Sequence, residues 1–347
     1  MPFPSLRILP IGVVFALAVA VLFPSRAAAE LVWTPESGWT VEGGALAGFA
    51  GEESNRALDL MNKGRRSEEN GSLGSAISAY KKVSKKYPNS VYAPEALYRQ
   101  AKLRQQRHQF KKAIEAYQQL VSRHPNTPHF NDAVGEEYRI AAALADGARP
   151  YIWGWFPGMK ARGKAPGYFE LVIANAPYSE YAPLALMNIA RCHMRAHNTD
   201  AAMYALDRMI NSYPDNLLAP DAYLQLAKAH VALVDGPDYD QSATKNAITY
   251  FEDFMILFPD DTSIADAAAG LSDMKTMMAE SKIKMGDFYF RKRHHYAAAK
   301  IFYNEAITAY PESPVAEKAK KRLTAVESAM EKASKNHPGK KKRFWLF

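Results

Sequence analysis

Six prolines in this chain stand in one register. Pro88, Pro125, Pro177, Pro214, Pro259 and Pro311 each follow an Ala by 12 residues and precede another Ala by 8. The upstream alanines are Ala76, Ala113, Ala165, Ala202, Ala247 and Ala299; the downstream ones are Ala96, Ala133, Ala185, Ala222, Ala267 and Ala319. Such self-similarity marks an internal repeat, and a repeat of this length dictates an array of like units before any single residue is considered.

Between each upstream Ala and its Pro the pattern predicts a helix. Four residues after the Ala stand Tyr80, Tyr117, Phe169, Leu206, Phe251 and Tyr303, and seven after it stand Val83, Leu120, Val172, Met209, Phe254 and Ala306. Offsets of four and then three place these side chains on one helical face. The Ala lets a neighbouring helix approach, and the aromatic fills the groove beside it. We read the whole stripe as core and assign it no chemistry. Pro ends the helix by forcing the residue before it out of the α region. Two residues beyond Pro stand Ser90, Thr127, Ser179, Asn216, Asp261 and Ser313, all favoured N-cap types, so the next helix is expected to start there. The unit is a helix–turn–helix, and these positions match the second half of the tetratricopeptide (TPR) pattern. The expected fold is all-α, a right-handed superhelical solenoid of about six such repeats.

The ends differ from this body. Residues 1–29 read as a secretory signal peptide: Arg7, an apolar run over 8–23, then Ala27-Ala28-Ala29 before Glu30. The single cysteine is Cys192, so no disulfide framework and no N-terminal lipidation at a cysteine near residue 30 are expected. Residues 30–54, rich in Gly and Trp, read as an extended N-terminal arm, 55–330 as the solenoid, and 331–347 as a basic, aromatic tail. Of the formal charge of +8, Arg7 and Arg26 carry two and the tail a net five, which leaves the body near neutrality. A near-neutral body argues against nucleic acid as a partner.

Two segments attract functional readings. The third repeat carries an insertion, about 146–164, that includes Tyr151, Trp153, Trp155 and Phe156. Loops of this length without helical pattern are usually functional or disordered. Its aromatics either pack back on the helices or form a partner-binding patch. In the tail, Lys340, Lys341, Lys342 and Arg343 precede Phe344, Trp345 and Phe347, a composition suited to a membrane or partner tether, or else to a solvated terminus. Conventional chemistry is scarce. His193 and His197 are four apart, as on one helix face, but Met194 stands where a zincin needs its Glu. The pair His294-His295 falls at a repeat turn. No nucleophile elbow, phosphate loop or dinucleotide fingerprint occurs, so neither enzyme activity nor a cofactor or metal is expected.

The stretch Met285-Gly286-Asp287-Phe288-Tyr289 through His295-Tyr296-Ala297-Ala298-Ala299, followed by Ala309-Tyr310-Pro311-Glu312-Ser313-Pro314, resembles the closing repeat of the BamD-like outer-membrane protein assembly factors. Ala76-Ile77-Ser78-Ala79-Tyr80 and Tyr87-Pro88-Asn89-Ser90 resemble the same family. The resemblance implies a periplasmic scaffold, peripheral at the outer membrane. It would dock on a BamA-like insertase through its C-terminal repeats and receive unfolded outer-membrane proteins at its N-terminal ones. A periplasmic adaptor of the Tol-Pal coordinator type shares the Tyr-Pro-x-Ser pattern and is the alternative.

Overall fold

The computed structural model describes residues 30–42 and 52–336. The signal-peptide segment 1–29 and the tail residues Lys340–Phe347 lie outside the described residues. The chain divides into two compact units, Met1–Lys164 with Ala174–Ala176, and Ala165–Ile173 with Pro177–Phe347.

The first unit opens with an antiparallel hairpin, β1 (Glu30–Thr34) and β2 (Gly38–Glu42), in which Trp33 stands opposite Trp39. Helices α1 (Glu52–Glu69), α2 (Leu73–Lys86), α3 (Ala93–Gln106), α4 (Phe110–Arg123) and α5 (Phe130–Asp146) follow, each packed on the one before. Trp39 is buried beside Met61, Tyr80 and Tyr92, so the hairpin closes the first repeat. It is pinned at Asn62, whose Oδ1 accepts from the Trp39 N–H at 3.0 Å. The insertion makes a second small hairpin, β3 (Tyr151–Ile152) and β4 (Phe156–Pro157).

Helix α6 (Ala165–Asn175) falls mostly in the second unit. That unit continues with α7 (Tyr181–Arg195), α8 (Thr199–Ser212), α9 (Ala219–Val231), α10 (Ser242–Leu257), α11 (Ile264–Arg291), α12 (Tyr296–Ala309) and α13 (Pro314–Asn336). From α8 onward each helix packs on its predecessor, and the long α11 also touches α13. The fold is therefore of the all-α TPR class, with each unit built from stacked helical hairpins.

The repeat positions do what their spacing predicted. All twelve register alanines have 0% exposure, and the aromatic and apolar positions between them are likewise buried. Burying a large apolar side chain of this kind contributes about 2 kcal/mol. Glycines complete the fit on the facing helix. A Cβ on Gly64 would lie 2.5 Å from the Tyr80 ring, and one on Gly286 2.5 Å from the Tyr303 ring.

The helix stops are built as a shared turn. The Tyr87 N–H still reaches Val83 at 2.8 Å, Pro88 cannot donate, and the Ser90 N–H closes back on the Tyr87 carbonyl at 3.1 Å. The turns at His124–Thr127, Tyr213–Asn216 and Phe258–Asp261 repeat this geometry. The expectation that the residue two beyond Pro caps the next helix is corrected at most repeats. Helices α3, α5, α9 and α11 begin three residues later, and Asn216 and Asp261 accept from the N–H two residues on, at 3.0 and 2.7 Å. The side chain thus shapes the entry turn. Only Ser313 stands directly before its helix, accepting from the Ala316 N–H at 3.1 Å as a true N-cap.

The other turn of each hairpin holds a feature that sequence reading passed over. Gly71, His108, His197 and His294 each precede their repeat proline by 17 residues, and their φ angles are 70°, 53°, 55° and 50°. This is the left-handed region, which Gly enters freely and His more readily than most residues.

Candidate interaction surface

The insertion hairpin is placed by its backbone. The Tyr151 N–H donates to the His108 carbonyl at 2.9 Å, and the Tyr151 ring stacks on His108 with centroids 4.5 Å apart. The Arg107 guanidinium donates to the Trp153 carbonyl at 3.3 Å. Trp153 and Gly154 both have positive φ, and the Trp155 N–H reaches back to the Ile152 carbonyl at 3.4 Å, the pattern of a type I′ turn. The loop therefore docks on the α3–α4 turn. Of the sequence-predicted patch, Tyr151 is spent on that docking, whereas Trp153, Trp155 and Phe156 point outward with exposures of 74%, 67% and 52%.

A second array runs over the first helices of the N-terminal repeats, and no sequence motif announced it. Glu95 on α3 accepts from Arg99 Nε at 2.5 Å and meets His129 Nε2 at 2.5 Å, while the His129 ring stacks on Tyr98 at 4.2 Å. Burial lifts the Glu95 carboxyl, but His129 and Arg99 more than offset it and hold Glu95 below its ordinary range. Arg99 also reaches Glu68 at 3.4 Å and lies over the Trp39 ring at 4.8 Å. Glu68 in turn accepts from the Tyr80 hydroxyl at 2.9 Å. One repeat further on, Gln105 accepts from the Tyr117 hydroxyl at 3.0 Å and donates to Glu136 at 2.7 Å, and Glu136 pairs with Arg139 at 2.6 Å. These groups satisfy one another. Such an array orients a polar helix face and offers no unpaired nucleophile or base.

Glu137, outside that array, is satisfied on one side alone. It is 1% exposed, its Oε2 accepts from Asn175 at 2.9 Å, and its Oε1 has no hydrogen-bond partner. Burial pushes its carboxyl up to about 7, with the Asn175 amide pulling the other way. The remaining candidates are dispersed. Helix α7 ends at Arg195, so His197 sits in the left-handed turn beyond it rather than on one face with His193. His295 is an N-cap, its Nδ1 accepting from the Ala298 N–H at 3.1 Å. Among the described residues no group of three or more His, Cys, Asp or Glu could hold a metal ion, and no helix is long and apolar enough to cross a membrane.

The family profiles that match this chain agree with this architecture. A tetratricopeptide repeat profile matches residues 95–127. A tetratricopeptide repeat protein from Parabacteroides merdae aligns over 79% of this chain and 99% of its own, at 14% identity and a TM-score of 0.31. The outer membrane protein assembly factor BamD of Rickettsia prowazekii is 28% identical over 147 residues, 42% of this chain and 58% of that protein. BamD of Xylella fastidiosa is 25% identical over 156 residues, 42% of this chain and 53% of that protein. The chain thus spans a little over half the length of these curated relatives. The profile of the YfiO family, described as outer membrane lipoprotein, matches residues 160–341, more than half of the chain. On that match, carried by helices whose register alanines and aromatics are all buried, the chain belongs to the YfiO family.

Proposed function

We propose that the chain is a non-catalytic periplasmic scaffold in outer-membrane β-barrel assembly, peripheral at the outer membrane, binding a BamA-like insertase and unfolded outer-membrane proteins. The observation that carries this reading is the family match over residues 160–341, together with the BamD relatives. The physical support is the division of labour along each repeat. Every register side chain is consumed by stacking, which leaves the helix surfaces to be read by partners. In the first unit those surfaces carry the oriented charges of Glu68, Arg99, Glu95 and Glu136, suited to an extended or helical peptide. Their mutual pairing is the reason for assigning no chemistry to them.

The test is affinity capture of the tagged full chain from gently solubilised cell envelope. Near-stoichiometric recovery of the barrel insertase is the expected result. Recovery of Tol-Pal or peptidoglycan-linked proteins in its place would overturn the assembly role and favour the adaptor.

A further inference from the structure

The β3–β4 hairpin is tied down behind and bare in front. Each contact that holds it uses a main-chain atom or the Tyr151 ring. The two indoles meet one another, centroids 6.4 Å apart and planes at 25°, and remain largely in solvent. Trp153 moreover occupies a left-handed position, φ 56°, where turn chemistry favours Asn or Gly. An indole at such a place costs stability and contributes little to burial, so folding alone does not account for it.

The surroundings narrow the occupant. Arg149, Lys160, Arg162 and Lys164 are all exposed, and residues 147–164 contain no Asp or Glu. A protein-binding patch is ordinarily an apolar centre inside a polar rim. Exposed indoles among four cations, with Asp146 the one acid of the insertion, match instead the composition of contacts with a bilayer interface. There the indole sits at headgroup depth and the cations meet lipid phosphates. We propose that this hairpin docks the protein peripherally on an anionic lipid surface, with Trp153, Trp155 and Phe156 entering the headgroup region. The inference goes beyond the scaffold role and does not rest on it.

The test uses the full chain labelled with fluorotryptophan, each resonance assigned by a Trp→Phe variant. Vesicles of phosphatidylglycerol and phosphatidylcholine, carrying a headgroup spin label, are compared with vesicles of phosphatidylcholine alone. The Trp153 and Trp155 resonances are expected to broaden with the anionic vesicles and to recover at high salt, while buried Trp39 stays sharp. This readout is local, so the basic tail and the apolar N-terminal segment do not confound it. The double variant W153S/W155S should lower the vesicle-bound fraction about ten-fold with an unchanged thermal midpoint, since both side chains are exposed. Indole resonances that respond no more than that of Trp39 would overturn the proposal. So would equal responses to both kinds of vesicle, or equal binding by the double variant. Broadening by a purified protein partner with none by vesicles would overturn it in favour of protein docking.

Discussion

At the scale of single residues, two positions store cost that substitution can expose. His197 turns the chain between α7 and α8 with φ 55°. A β-branched residue is badly placed there, so His197→Val should lower stability by about 1–2 kcal/mol, while His197→Gly should leave it unchanged or slightly raised. Thermal midpoints of the two variants check this. Glu137 stores a different cost. Its folded carboxyl titrates near 7, raised from an ordinary 4.5 by burial. Between those values the folded state keeps a proton that the unfolded chain releases. Stability therefore falls as pH rises from about 4.5 to about 7 and is level above that. The loss is on the order of 3 kcal/mol. Glu137→Gln keeps an acceptor for Asn175 without the charge. Denaturant midpoints should show it more stable than the parent at pH 8 and equal to it near pH 4.5. A parent profile flat across this window would contradict the assignment.

At the scale of elements, the N-terminal hairpin shows how a non-helical segment serves a helical stack. Trp39 fills the end of the first repeat, and Arg99 and Arg65 lie over Trp39 and Trp33 at 4.8 and 4.1 Å. Trp39→Ala should cost about 3–5 kcal/mol by opening a cavity against Met61 and Tyr80. Hydrogen exchange of α1 and α2 should report that loss first. The 17-residue offset that gathers Gly71, His108, His197 and His294 at one turn was visible in the spacing, but only the φ angles gave it meaning. The entry turns carry the opposite lesson. Ser90, Thr127, Asn216 and Asp261 are good cap types by chemistry, yet each closes the Pro-bearing turn and its helix begins three residues later.

At the scale of the whole molecule, repeat stability is close to a sum of local and nearest-neighbour terms, so damage should stay near its source. Gly286→Ala would drive a Cβ into the ring of buried Tyr303 and should cost roughly 1–3 kcal/mol through overpacking. Exchange rates should rise across α11–α13 and stay unchanged in α1–α4. A uniform rise throughout the chain would show instead that the two compact units unfold as one.

The repeat, its all-α class and its buried stripe were determined by the sequence alone, because Ala, aromatic and Pro act through helical periods a few residues long. The resemblance to the assembly factors rested on the same local strings, and the family match over residues 160–341 agrees with it. What the sequence left open depends on which helices meet, and in what register. Glu68 and Arg99 are 31 residues apart, and Glu95 and His129 are 34 apart, so nothing in their spacing predicts their pairing. For the aromatic insertion the sequence allowed either packing back or facing outward, and the tertiary structure decided on both. The hairpin's main chain found acceptors and donors on the α3–α4 turn, while a turn with two successive positive φ angles left the indoles in solvent.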